Sequence, residues 1–351
     1  MENVNNFLLG FGSGKFLQEI EEFPSSLNES TMLYNYGKLL QIIQEKELLS
    51  LVKDRDLINR THNLSQKFSD ITKKIILKSA TNTQILAQYK KLQRKIEEEL
   101  TGMTYIFAKQ WGISVLALFH YKNGEYNKAI NQSLECIVLN EYLIRSGVST
   151  LLFRAAEQNK NIMKILFRSS DCKTAGNFAR DFLSYLFNGA SKLQKGKIFY
   201  EKKYWRNNPY IREGYSYECF RSVVSLTIHL QKRLKVSSKE LFFYIFSELD
   251  FEVNNPDRDI ISTWLHLKKL CYSGKYLEFR TEVFDFFKTP ISKIYDILKV
   301  DLILEIQQII EEDTTEVGRE AHISLTKFMY DKLNAQFYLD TDLSLRNLVK
   351  Q

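Results

Sequence analysis

Proline and glycine are scarce in this chain, and their scarcity most constrains what it can fold into. The 351 residues include 4 Pro and 14 Gly, whereas β architectures with many turns need far more of both. Pro209, Pro256 and Pro290 fall between stretches of helical periodicity, where helix boundaries are expected. The sequence therefore predicts an all-α protein built from antiparallel helical hairpins.

The clearest predicted helix runs from Thr83 to Leu100. Apolar residues recur along it at helical spacing, and charged residues cover its other faces. The apolar positions are Ile85, Tyr89, Leu92, Ile96 and Leu100. Such a narrow seam is typical of a helix that pairs with another helix. Because the seam is short for a dimerising coiled coil, we favour a pair within the chain and keep a dimer as the alternative. The helix belongs to a predicted N-terminal helical region, residues 1–104.

A second feature is a predicted hairpin of two helices at residues 111–145. Leu116 and Ala117 lie in its first helix, Gly124 occupies the turn, and Tyr126 and Ala129 follow in the second helix. Glycine opens a tight turn, the aromatic ring fills the hairpin, and alanine lets two helix backbones approach closely. This pattern resembles the tetratricopeptide repeat.

The resemblance is partial. His120 takes the place of the family's usual aromatic residue, and Cys136 takes the place of a later alanine. Glu141 takes the place of the proline that closes the repeat. A weaker version of the pattern, at residues 262–290, is centred on Gly274. The resemblance implies a degenerate tetratricopeptide-like helical repeat over residues 105–351. Stacked helix pairs of that kind would bind a peptide or protein partner, here in a regulatory role.

Positive charge is concentrated in one part of the chain. The whole sequence has a formal net charge of +7. The segment from Lys160 to Arg212 contains twelve basic residues against Asp171, Asp181 and Glu201, which gives it a net charge of +9. An imbalance of this size indicates an anionic partner, or an acidic surface of the same protein that docks there.

Residues 192–212 interleave the cations of this segment with aromatic rings. Cations bind phosphates and rings stack on bases, so nucleic acid is the alternative partner. The predicted partner-binding residues are Lys195, Lys197, Lys202, Lys203, Tyr204, Trp205 and Arg206. The structural alternative is a long connection whose rings enter the helical core while its lysines face water.

Motifs for catalysis, metals and cofactors are not found. The cysteines and histidines lack metal-ligand spacing, and the four cysteines are expected to be reduced thiols. Arg55 and His62 fit a loose pattern that resembles helical ribonucleases of the HEPN type, which we keep as a remote alternative. We therefore expect a non-catalytic protein without a cofactor or a metal.

The expected location is the cytoplasm, without a membrane partner. The first residues do not have the pattern of a secretory signal, and no apolar stretch is as long as a membrane span. The sequence leaves the identity of the partner, the pathway and the oligomeric state open.

Overall fold

A computed structural model describes most of the chain. The described residues are 20, 22–26, 36–169, 172–188, 205–234, 236–249, 257–311 and 316–333. Their regular secondary structure is helical, which confirms the predicted all-α class. None of the described helices combines the length and the apolar character that crossing a membrane requires.

The chain forms two compact units. The first unit comprises Leu33–Cys219 and Glu248–Val253, and the second comprises Met1–Met32, Phe220–Ser247 and Asn254–Gln351. The predicted boundary between residues 104 and 105 falls inside a helix of the first unit.

The first unit contains the helices that form the candidate site. They are α1 (Tyr36–Ile42), a π-helical turn (Ile43–Leu48), α2 (Leu49–Val52), α3 (Arg55–Leu77), α4 (Asn82–Glu99), α5 (Gly102–Lys122), α6 (Tyr126–Arg145), α7 (Leu152–Ser169), α8 (Cys172–Asn188) and the start of α9 (Pro209–Leu234). A short 3₁₀ turn at Ser149–Leu151 leads into α7. Glu47 in the π-helical turn accepts hydrogen bonds from Ser149 Oγ and Thr150 N, and so caps the 3₁₀ turn.

The predicted helix Thr83–Leu100 is α4. Thr81 and Gln84 form a capping box at its start, because each side chain accepts a hydrogen bond from the backbone N–H of the other. The apolar seam is buried against α3 and α5, in a core that includes Phe68 and Val115. The seam therefore serves a helix pair within the chain.

The predicted hairpin is formed by α5 and α6, and its turn recurs between two helices of the second unit, Asp257–Tyr272 and Tyr276–Lys288. In the first turn, Glu125 N donates to His120 O at 2.9 Å and Gly124 has a φ of +76°. In the second, Lys275 N donates to Leu270 O at 3.1 Å and Gly274 has a φ of +74°. This is the Schellman arrangement, in which glycine adopts the left-handed conformation after a helix. Both predicted turn glycines therefore have the expected role.

In the part of the chain that the structure describes, the second unit contains the rest of α9 and the helices α10 to α14. They are α10 (Ser238–Ile245), α11 (Asp257–Tyr272), α12 (Tyr276–Lys288), α13 (Asp296–Ile310) and α14 (Glu316–Asp331). The ring of Phe23 is buried among Phe284, Phe287 and Phe328, with centroid distances of 5.9, 5.5 and 5.1 Å. Residues 22–26 are thereby anchored to α12 and α14.

Candidate binding groove

Helices α3, α5 and α7 of the first unit enclose a groove of about 670 Å³. This volume lies within the range of ligand-binding clefts in proteins, about 300–1,000 Å³. Apolar side chains such as Val115, Leu118 and Ile165 line its walls together with the rings of Phe68 and Trp111. The groove therefore has the apolar surface that a ligand's side chains can bury.

Helix α7 supplies the polar wall of the groove. The residues of α7 that face the groove recur at helical spacing, so they share one face of the helix. They are Arg154, Glu157, Gln158, Asn161, Lys164 and Ile165. One face of a single helix thus presents two cations, one carboxylate and two amides to the space between the walls.

Arg154 is held in place by three neighbours. Its guanidinium carbon lies 3.8 Å from the centroid of the Trp111 ring, a cation–π contact. Its Nη2 donates to Ser114 Oγ at 3.1 Å, and its Nη1 forms an ion pair with Glu157. Since Glu157 is the acidic residue of the groove lining, the Arg154 charge is compensated within the groove.

Lys164 differs from Arg154 because no carboxylate holds it. Its side chain is half-buried, and it forms no hydrogen bond or ion pair with another described residue. Burial and the neighbouring charge of Lys160 lower the pKa of Lys164, while Glu218 and Glu157 raise it more weakly. Lys160 itself is paired, because its Nζ lies 3.8 Å from Glu218 Oε1. Among the α7 residues that line the groove, Lys164 is therefore the cation without a carboxylate partner.

Two buried polar side chains complete the base of the groove. Gln158 and Ser133 are 1% and 0% exposed. Gln158 Oε1 and Ser133 Oγ have no hydrogen-bond partner among the described residues. Buried polar atoms are almost always hydrogen-bonded in proteins, so an unpartnered pair beside an open groove indicates a place for a polar ligand group or water.

The rim of the groove carries an exposed apolar side chain. Ile76 lines the groove and is 55% exposed, whereas Leu77, the next residue of α3, is 72% exposed and does not line it. Lys73 and Lys122 also line the groove and are exposed, and Arg168, outside the lining, lies 5.0 Å from the centroid of the Tyr121 ring. The rim thus combines an apolar contact with positive charge.

Most of the predicted site residues lie outside the described residues. This applies to Lys195, Lys197, Lys202, Lys203 and Tyr204. Arg206 is described and is exposed.

Trp205 is buried, with 1% of its surface exposed. Its indole N–H donates to Leu186 O at 2.6 Å, and its ring lies 5.6 Å from that of Tyr185. The ring therefore serves the core of the first unit rather than an exposed surface, as the structural alternative expected. The binding role of the other residues of the segment stays a prediction.

The ribonuclease-like pair lies in α3. Arg55 is exposed at the start of the helix, and the His62 ring is hydrogen-bonded to the side chain of Gln44. The described residues contain no cluster of histidine, cysteine and acidic side chains that would hold a metal ion. All four cysteines are thiols, as predicted.

The second unit contains a buried charge cluster that sequence reasoning missed. Lys268 Nζ lies 2.8 Å from Asp301 and 2.5 Å from Glu305, and all three side chains are almost fully buried. Trp264 Nε1 donates to Asp301, and Tyr272 and Ser238 donate to Glu305. The cluster joins α10, α11 and α13.

The titration behaviour of this cluster fits a structural role. Burial raises the pKa of Asp301. Burial alone would lower the pKa of Lys268, but the two carboxylates hold it well above its ordinary value. Glu305 Oε1 already accepts from three donors, so the cluster is an internal network of hydrogen bonds.

No protein-family model matches the chain, and no curated protein or solved structure is significantly similar to it. The fold and the groove define an all-α protein with an apolar, cation-bearing groove between three helices.

Proposed function

We propose that this chain is a non-catalytic interaction protein that binds a linear peptide segment of a protein partner in the groove between α3, α5 and α7. The observation that carries the proposal is the combination of apolar walls with an exposed apolar rim residue, Ile76, around an open groove. When a partner's apolar side chains fill a groove of this kind, each large side chain that is buried stabilises the complex by about 1.5–3 kcal/mol.

The helical hairpins support a tetratricopeptide-like repeat as the framework of the groove. The α5–α6 hairpin combines the turn glycine Gly124 with the fully buried Ala129, and α11–α12 has the same turn. Stacked helix pairs form concave surfaces that bind peptides without catalysis. The sequence pattern and the groove thus favour the same mode of action.

The test compares two adjacent apolar residues of α3. A library of random linear peptides displayed on phage is selected on the wild-type protein, and the binding of enriched peptides is measured by fluorescence anisotropy. Ile76→Glu places a carboxylate at the groove rim and should weaken binding at least about tenfold. Leu77→Glu adds the same charge to a more exposed side chain outside the groove and should leave binding unchanged.

The proposal is wrong if the enriched peptides bind Ile76→Glu as tightly as the wild type. Because both side chains are exposed, neither variant is expected to change the thermal midpoint by more than a small amount. A matched loss in both variants would place the peptide elsewhere on α3.

Nucleic acid is the second candidate partner. It is favoured by the net charge of +9 between Lys160 and Arg212, of which Lys164 and Arg168 lie on or beside the groove wall. Reversing Lys202 and Lys203 to Glu should then abolish retention of single-stranded nucleic acid, and wild-type retention should fall steeply with added salt. Unchanged retention would leave the segment without a role in binding.

A further inference from the structure

We propose that the base of the groove binds a carboxylate of the partner peptide, and that Lys164 is the residue that selects for it. This inference rests on the proposed peptide-binding function and specifies the chemistry of the bound segment. A carboxylate on the peptide would come either from an Asp or Glu side chain or from the C-terminus.

The charges of the groove wall leave one position for an anion. Arg154 is paired with Glu157, and Lys160 is paired with Glu218. Lys164 lies one turn beyond Lys160 on α7 and has no carboxylate of its own. A half-buried cation without a partner costs free energy in the unbound protein, and an incoming anion recovers that cost. The lowered pKa of Lys164 reflects the same lack of compensation.

The hydrogen-bonding groups at the base fit a carboxylate. The hydroxyl of Ser133 and the carboxamide of Gln158 are buried, line the groove and make no hydrogen bond with another described residue. The hydroxyl can donate directly. Gln158 has its acceptor Oε1 unpartnered, and it donates to a carboxylate when the carboxamide turns over so that Nε2 takes the place of Oε1. A carboxylate accepts about four hydrogen bonds, which is enough for Lys164, Ser133 and Gln158 together.

The buried and half-buried cations of the α7 wall favour a singly charged group over a phosphate. Phosphate sites usually combine several cations and often an arginine that binds in bidentate fashion. Here the guanidinium of Arg154 is already engaged by Glu157, Ser114 and the Trp111 ring. The α7 wall therefore offers one half-buried ammonium, which matches one carboxylate, whereas Lys73 and Lys122, which also line the groove, are exposed to solvent.

The test uses the peptides enriched on the wild-type protein. Each peptide is synthesised in three forms. The first is unchanged, the second has Asn or Gln in place of its acidic residues, and the third has an amidated C-terminus. Lys164→Met should bind the peptide with the intact carboxylate about tenfold to a hundredfold more weakly than the wild type does. It should bind the form that lacks the carboxylate as the wild type does. The form that loses affinity for the wild type identifies the source of the carboxylate.

Two control variants separate this inference from the function on which it rests. Lys160→Met removes a neighbouring, paired cation of the same helix and should leave binding unchanged. Lys164→Met should not lower the thermal midpoint, because it removes an uncompensated charge; Lys164→Gln serves if the apolar variant does not fold.

The inference is overturned if Lys164→Met binds acidic and amide peptides with the same change in affinity, or if the enriched peptides are neutral. Neutral peptides that still depend on Ile76 would leave the peptide-binding function standing. Failure of the wild type to enrich any peptide would remove both.

Discussion

The ring of Phe68 lies so close to the backbone of Gly112 that a β-carbon at residue 112 would stand 2.7 Å from Phe68 Cζ. Phe68 is buried in the core shared by α3, α4 and α5, and it also lines the groove. The absence of a side chain at Gly112 therefore lets α3 approach α5 closely.

Gly112→Ala should destabilise the protein by about 1–2 kcal/mol. Overpacking a core costs about 1–3 kcal/mol, and alanine in a helix recovers up to about 1 kcal/mol relative to glycine. Chemical denaturation measures the difference. The penalty should shrink when Phe68→Leu shortens the ring, and an equal penalty in both backgrounds would show that the two residues are not coupled.

Ala129 is fully buried in the α5–α6 hairpin, as expected for a close helix crossing. Ala129→Leu should cost about 1–3 kcal/mol because the larger side chain has no space. Ala87 is exposed on α4 and provides the matched control; Ala87→Leu should change stability by less than about 0.5 kcal/mol. Equal thermal midpoints for the two variants would remove the main support for a repeat-like hairpin.

Lys268 is the cation that pairs with two buried carboxyl groups in the second unit. Lys268→Met leaves Asp301 and Glu305 buried without their cation and should cost about 3–5 kcal/mol. Lys275 pairs with Glu278 at the surface, and Lys275→Met should cost less than about 1 kcal/mol. Urea denaturation of the two variants distinguishes these values. A small effect of Lys268→Met would mean that the buried charges of Asp301 and Glu305 are compensated or neutralised in another way.

Lys299 should make stability depend on pH in the alkaline range. Its side chain is 1% exposed, and its Nζ donates to Phe287 O at 3.0 Å and Thr289 O at 2.7 Å. Burial lowers its pKa from 10.5 to about 8, although Asp296 acts in the opposite direction. Between these two values the unfolded chain binds more protons, so this residue makes stability rise with pH by up to about 1.4 kcal/mol per pH unit.

The measurement is the unfolding free energy of the wild type minus that of Lys299→Met. The difference should increase from pH 8 to pH 10 and stay constant below pH 7. Buried thiols such as Cys136 and Cys219, whose pKa values are raised to about 12 by burial, act in the opposite sense in both proteins and cancel. A difference that is flat or falls with pH would contradict the assignment.

Local sequence patterns predicted the local structure of the chain well. The seam of α4 and the turns at Gly124 and Gly274 depend on neighbouring residues. The seam was found from its spacing, and the two turns were found from the resemblance to the tetratricopeptide repeat. The start of α5 was placed at Trp111 instead of Gly102. This helix is buried on several faces, so its apolar residues follow no single stripe and its first turns lack the usual signal.

The groove was not predicted because it depends on contacts between distant parts of the chain. Phe68, Trp111 and Arg154 belong to three helices, and periodicity shows which face of a helix is buried without showing which helix covers it. Lys164 was counted within the basic segment, but its lack of a carboxylate partner is visible only in three dimensions.

Photo-crosslinking tests most directly whether the groove holds the peptide. A benzophenone amino acid replaces Ile76 at the rim or, as a control, the exposed Val138 of α6, which does not line the groove. Irradiation with an enriched peptide should give a crosslinked product from position 76 that excess unlabelled peptide suppresses, and no product from position 138. A crosslink at position 138 without one at position 76 would contradict peptide binding in the groove.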